Sequence, residues 1–143
     1  MAARKVAKNS VFSSDEKAAM RELVRERKAA LSKAEAEKEC LDKIAEMPPS
    51  DRAIAKKIHA LVKANAPTLD AKTWYGMPAY ARGGDIICFV QSAAKFKARF
   101  ATIGFTDKAK LDNGTMWPLY FALTKITPAD ETKLASLIKK AVS

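Results

Sequence analysis

Residues 73–123 hold both tryptophans, all three tyrosines and five of the six phenylalanines of the chain. Aromatic side chains bury more apolar area than any others, so the core has to form around this stretch. It opens with Trp74-Tyr75-Gly76-Met77-Pro78-Ala79-Tyr80 and closes with Met116-Trp117-Pro118-Leu119-Tyr120-Phe121. Gly76, Pro78 and the pair Gly83-Gly84 argue against helix here and for short strands joined by tight turns.

The strands follow in order. The chain becomes extended from Lys72, and Gly83-Gly84 predicts a hairpin turn. Asp85 to Gln91 is a short apolar strand rich in β-formers. Phe96, Ala98, Phe100 and Thr102 alternate with Lys95, Lys97, Arg99 and Ala101, which predicts a strand with one buried face and one basic, wet face, ending at Gly104-Phe105. Thr106-Asp107 predicts one or two helical turns through Leu111, and Asp112-Asn113-Gly114 a turn. Residues 115–123 read as another strand, at an edge or a bulge because of Pro118.

Helices flank this region. Ser13-Ser14-Asp15-Glu16 reads as a capping box. The helix after it carries a narrow stripe of Met20, Leu23, Val24, Arg27 and Leu31, suited to a peripheral arm or to pairing with a second copy. Helical propensity continues through 33–47, with Leu41, Ile44 and Met47 on one face and Glu35, Glu39, Asp42 and Glu46 on the other. Pro48-Pro49 stops it. In helix 51–65, Ile54, Ile58, Leu61 and Val62 face a core, while Arg52, Lys56, His59 and Lys63 form a basic stripe opposite. Thr127-Pro128-Ala129-Asp130 starts a last helix, whose apolar stripe is Leu134, Leu137, Ile138, Ala141 and Val142.

Short strand connections demand antiparallel pairing. The expected fold is therefore α+β: a two-layer antiparallel sheet with helices packed on one face, plus an N-terminal helical arm. The expected divisions are a disordered basic lead-in over 1–12, the arm over 13–37 and the α+β domain over 38–143.

The net charge is +10, and residues 51–100 carry nine lysines and arginines against three acids. A basic surface favours acidic partners: nucleic acid, an anionic small ligand or an acidic protein. No run of about 18 apolar residues suggests a membrane span. The basic start lacks an apolar core, so it does not read as a secretory signal. Cys40 and Cys88 stand far apart, the pattern of two reduced thiols in a cytoplasm rather than a disulfide framework or zinc site.

Five short motifs in fixed order then carry a resemblance: Trp74 to Tyr80, Cys88-Phe89-x-Gln91, Lys95-Phe96-Lys97, Ile103-Gly104-Phe105 and Met116-Trp117-Pro118. Together they resemble the YdhG-like domain of unknown function, over roughly residues 38 to 142. That family is similar in fold to frataxin, and some members are labelled iron chaperones. The resemblance thus implies iron as a cargo. Frataxin-like proteins hold it on an acidic first helix. Helix 51–65 would take that place, and it carries Asp51 among Arg52, Lys56, Lys57 and Lys63, a field of the wrong sign. The carboxylates left for a metal are Glu35, Glu39, Asp42 and Glu46.

No glycine-rich phosphate loop, HExxH or GxSxG is present. The expectation is a binding or carrier module without catalysis. Its ligand site is drawn at Trp74, Tyr75, Met77, Tyr80, Lys95 and Trp117, where a flat or anionic molecule could meet aromatic faces and an amine. The alternative is a nucleic-acid surface on the sheet and helix 51–65, using Arg52, Lys56, His59, Lys63, Lys97 and Arg99. A homodimer through the arm is the expected assembly. His59 reads as a surface histidine and Cys88 as a buried small hydrophobe.

Overall fold

A computed structural model describes residues 14–143. The chain divides into two compact units, with the boundary between Ala34 and Glu35. Three helices and five strands follow in order: α1 Ser14–Ala45, α2 Pro49–Asn65, β1 Asp70–Trp74, β2 Met77–Arg82, β3 Asp85–Gln91, β4 Ala101–Phe105, β5 Tyr120–Leu123 and α3 Pro128–Ala141. The lead-in over 1–12 and the N-cap at Ser13 lie outside the described residues.

The first unit, within those residues, is the N-terminal part of α1. Its large apolar residues Met20, Leu23, Val24 and Leu31 are 46–64% exposed, and Arg25 pairs with Glu22 at 2.9 Å.

The second unit is an α+β sandwich. The five strands form one sheet in the order β1-β2-β3-β4-β5. Each is antiparallel to the next, as short connections require. Side chains alternate between the two faces. Ala71, Tyr80, Cys88, Val90, Ala101, Ile103, Phe105 and Leu123 point one way, into a cluster with Cys40 and Ile44 of α1, Ile54, Ile58 and Val62 of α2, and Leu134 and Ile138 of α3. Burying each large aliphatic group there contributes about 1.5–3 kcal/mol. Met77, Ala79 and Phe89 point the other way and pack with Trp74 and Ile86. The helices thus cover one face only.

Two irregularities set where side chains aim. Tyr75 and Gly76 both have positive φ, 50° and 75°, so they make the two-residue turn that pairs Trp74 with Met77. The motif read as one extended stretch is therefore a hairpin, and the sheet has five strands. Second, the register shifts between Tyr80 and Ala81, which pair with Cys88 and Ile86. Ile87 is the extra residue of a bulge, so Ile87 and Cys88 both join the helix-side cluster.

Three strand and helix expectations are corrected. Residues 92–100 form turns, not a strand. The carboxylate of Asp51 accepts from the N–H groups of Ala93 and Ala94, both at 3.1 Å. Ser92 Oγ accepts from Lys95 N, Ala98 N donates to Ala93 O, and Lys97 adopts φ 52°. With the chain so folded back, β4 starts at Ala101, and the residues it turns into the helix-side core are Ala101, Ile103 and Phe105. That is the opposite parity to the predicted Phe96–Thr102 set. Thr106–Leu111 is a turn without helix, because Thr106 Oγ1 donates to Ile86 O and Lys110 N donates to Ala141 O. The last strand shrinks to Tyr120–Leu123, an edge strand with Pro118 before it.

The helix signals fared better. Thr127 caps α3 in a reciprocal box with Asp130. Pro48-Pro49 both stops α1 and starts α2, with Pro49 at the first helical position.

Candidate functional site

The helix-free face of the sheet carries a group of packed aromatic rings. One cross-strand row runs Lys72, Ala79, Phe89, Gly104, Tyr120 by register. Small residues alternate with large ones. Gly104 leaves the room that the Phe89 ring occupies, since a Cβ there would stand 2.9 Å from both Phe89 Cε atoms. Trp74 leans on Phe89 with ring centroids 5.3 Å apart at 64°, and Tyr120 meets it from the other side at 6.0 Å and 70°. Tyr75 lies against Trp74 at 5.2 Å. Phe89 is buried, while Tyr75 and Tyr120 are 80% and 66% exposed. The result is a buried Phe89 ring with an edge-on aromatic ring on either side.

Lys95 joins this face from the 92–100 turns. Its Nζ donates to the Tyr75 carbonyl at 2.9 Å, in the space that a side chain at Gly76 would need. Gly76 is thus a site of close approach, and Lys95 is what approaches. Lys97 and Arg99 are exposed on the same turns, with the Arg99 guanidinium 5.3 Å from the Phe100 ring centroid. Beside Gly76 and Lys95 lies a groove of about 430 Å³, closed on its far side by Lys43, Glu46, Met47 and Pro48.

The predicted ligand set therefore divides. Trp74, Tyr75, Met77 and Lys95 adjoin one another at one end of the open face. Met77 is buried beneath the aromatics and does not line the groove. Tyr80 and Trp117 belong to the helix side: Tyr80 is fully buried, and Trp117 packs partly buried against the helix-side core. Period-two alternation sends Tyr80 away from Met77 and Ala79.

The basic stripe of α2 is largely occupied. Arg52 donates to Met47 O at 3.2 Å, and Lys63 pairs with Glu37 at 3.0 Å. Lys56 is exposed. His59 is not a surface residue: its side chain is 13% exposed. Its Nε2 lies 3.3 Å from Glu37 Oε2, and its Nδ1 lies 3.0 Å from the Tyr80 hydroxyl. Burial holds the His59 imidazole below its ordinary value against the opposing pull of Glu37. Burial also raises Tyr80 well above the usual phenol range, so its hydroxyl keeps its proton. Glu37 is held ionised and can only accept from Nε2, which leaves Nδ1 to accept from that hydroxyl. That assigns the imidazole proton to Nε2, facing Glu37. Neither Glu37 nor this relay was drawn from the sequence. The signal available was His59 and Lys63 four apart on one helix, facing a carboxylate.

Cys40 and Cys88 are buried free thiols, pushed up by burial to about 11 and about 12. They are thiols rather than thiolates near neutrality, which makes them poor nucleophiles. Glu35, Glu39, Asp42 and Glu46 are all exposed. Asp42 pairs with Lys38 at 3.1 Å and Glu46 with Lys43 at 3.7 Å. Among the described residues no group of three or more His, Cys, Asp or Glu is placed to hold a metal ion, and no helix is long and apolar enough to cross a membrane.

No family model matches the chain, and neither curated proteins nor solved structures supply a match.

Proposed function

We propose that the protein is a non-catalytic binding module whose recognition surface is the helix-free face of its sheet, around Trp74, Tyr75, Phe89 and Tyr120. The observation that carries this is the aromatic row left without a helix over it, with two tyrosines more than 60% exposed. Exposed aromatic rings in a row mark binding surfaces more often than bare structural ones. The absence of catalysis is supported by chemistry. The one histidine spends both ring nitrogens on Glu37 and a buried tyrosine, and both thiols are protonated.

The resemblance to the YdhG-like domain also brings an iron-chaperone reading. The four candidate carboxylates are solvated and two are paired with lysines, so the proposal is made without iron.

The direct test uses tryptophan emission. With Trp117→Phe, emission reports Trp74 alone. Titration with an aromatic sulfonate dye should quench it, and Tyr120→Ala should weaken the effect. Unchanged emission at millimolar dye would remove the reading.

The arm supports a second reading, of assembly. Met20, Leu23, Val24 and Leu31 are 46–64% exposed on one helix, and pairing with a second copy would bury them. Light scattering should then give a dimer mass, lost in a chain lacking residues 1–34; a monomer mass for the full chain refutes it.

A further inference from the structure

We infer that the occupant of the helix-free face is a single strand of nucleic acid, bound by stacking of unpaired bases and by contact with phosphates. This rests on the binding face proposed above and names its ligand. Three observations point to it.

The first is the shape of the aromatic group. Phe89 forms a floor, and Trp74 and Tyr120 rise from it at 64° and 70°. Phe89 is itself buried, so the ring faces open to solvent are those of Tyr75, Tyr120 and the half-buried Trp74, which suit about two or three unpaired bases arriving from solvent. A duplex hides its bases within the stack and offers none to these rings. The face is also a surface rather than an enclosed cavity, which suits a passing strand better than one small molecule.

The second is charge. Lys72 ends the same cross-strand row as Phe89 and Tyr120. Lys95 stands beside Tyr75, where its ammonium reaches the Tyr75 carbonyl, and Lys97 and Arg99 are exposed farther along the same turns. By register, the strand positions facing this way include one acid, Asp70, at the far end of β1. Lys72 and Lys95 thus adjoin the aromatic group, within reach of the phosphates of a strand whose bases meet the rings.

The third is where the charge does not go. Helix α2 spends Arg52 on Met47 O, Lys57 on Glu131 and Lys63 on Glu37. Lys56 is the cation of that helix left exposed without such a partner.

The test is fluorescence anisotropy with labelled twelve-nucleotide strands, oligo-U RNA and oligo-dT DNA, against a duplex of equal length. The single strands should bind and the duplex should bind at least tenfold more weakly. With about four phosphates contacted, log affinity should fall against log salt with a slope of roughly −2.8. Tyr120→Ala should weaken strand binding on the order of tenfold. Lys97→Gln with Arg99→Gln should flatten the slope by roughly 1.4. All three positions are exposed, and thermal melts of each variant check that the fold survives. Equal affinity for duplex, or strand binding indifferent to Tyr120→Ala, overturns the inference. So does a mononucleotide or a poly-aspartate peptide that binds as tightly as the strand. If the sulfonate dye quenches Trp74 and no strand binds, the strand is wrong and the face stands. If neither binds, both fall.

Discussion

Gly104 is the residue on which the open face rests. It sits in β4 opposite Phe89 on one side and Tyr120 on the other. A methyl group there would run into Cζ of Phe89 and lie 2.9 Å from both Cε atoms, closer than carbon atoms tolerate. The ring cannot retreat easily, because Trp74 and Tyr120 bracket it. Gly104→Ala should therefore cost about 1–3 kcal/mol, the usual range for overpacking. Urea midpoints measure it. Phe89→Leu in the same chain should recover part of the loss, and strictly additive effects would show that the two residues do not clash. In the sequence, Gly104 carries no such signal. It reads as the end of a strand, because its importance lies in a neighbour fifteen positions away, on another strand. Tyr80 fails in the same way. Its place in the Trp74–Tyr80 motif suggests a shared site, but the sheet's alternation buries it among Cys40, Cys88 and His59 instead.

At the scale of elements, what was legible was whatever is held locally. α2 and α3 carry clear apolar stripes, and Gly83-Gly84 has the positive φ a tight hairpin needs. The N-cap of α3 is a local hydrogen-bond device, and Thr127→Ala should cost about 1 kcal/mol in the same urea assay. The turns over 92–100 were not legible, because Asp51 of α2 imposes them from 42 residues away. The alternation of Phe96, Ala98 and Phe100 is genuine, yet a buried carboxylate that takes two backbone N–H groups outweighs it. The residue is 6% exposed. Asp51→Ala leaves those two donors without their acceptor and should cost about 1–3 kcal/mol. It should also raise amide exchange at Ala93 and Ala94 while the exchange of β2 stays slow. Equal acceleration across the whole sheet would mean that Asp51 does not act on this turn in particular. Since Lys95, Lys97 and Arg99 ride on that turn, the same change should disturb the open face without touching an aromatic ring.

At the scale of the whole molecule, one polar relay ties three elements of the second unit. Glu37 comes from α1, His59 and Lys63 from α2, and Tyr80 from β2. Its pH dependence follows from the two shifted groups. The folded protein holds His59 below 6.5, burial outweighing the attraction of Glu37 while Lys63 adds to the depression. As pH falls through 6.5, the unfolded chain takes up a proton that the folded chain still refuses. Stability is therefore full above about pH 6.5 and declines below it, until the folded imidazole is also protonated. Glu37 adds a second decline below 4.5, where the unfolded chain begins to protonate a carboxylate that the folded chain keeps ionised through Lys63. Folded His59 has its proton on Nε2 and accepts from Tyr80 at Nδ1. Protonating Nδ1 turns that bond around and leaves the buried Tyr80 hydroxyl to find another acceptor. Thermal midpoints should thus be level between about pH 7 and 8, fall in a first step below pH 6.5, and fall again below pH 4.5; they should also fall as pH rises through 9.0, where the unfolded chain ionises the thiols that burial keeps protonated in the fold. His59→Gln keeps a hydrogen-bonding group without a titration near 6, so it should abolish the first step and retain the second. Parallel profiles for the two proteins from pH 7.5 to 5 would show that the imidazole does not couple to folding.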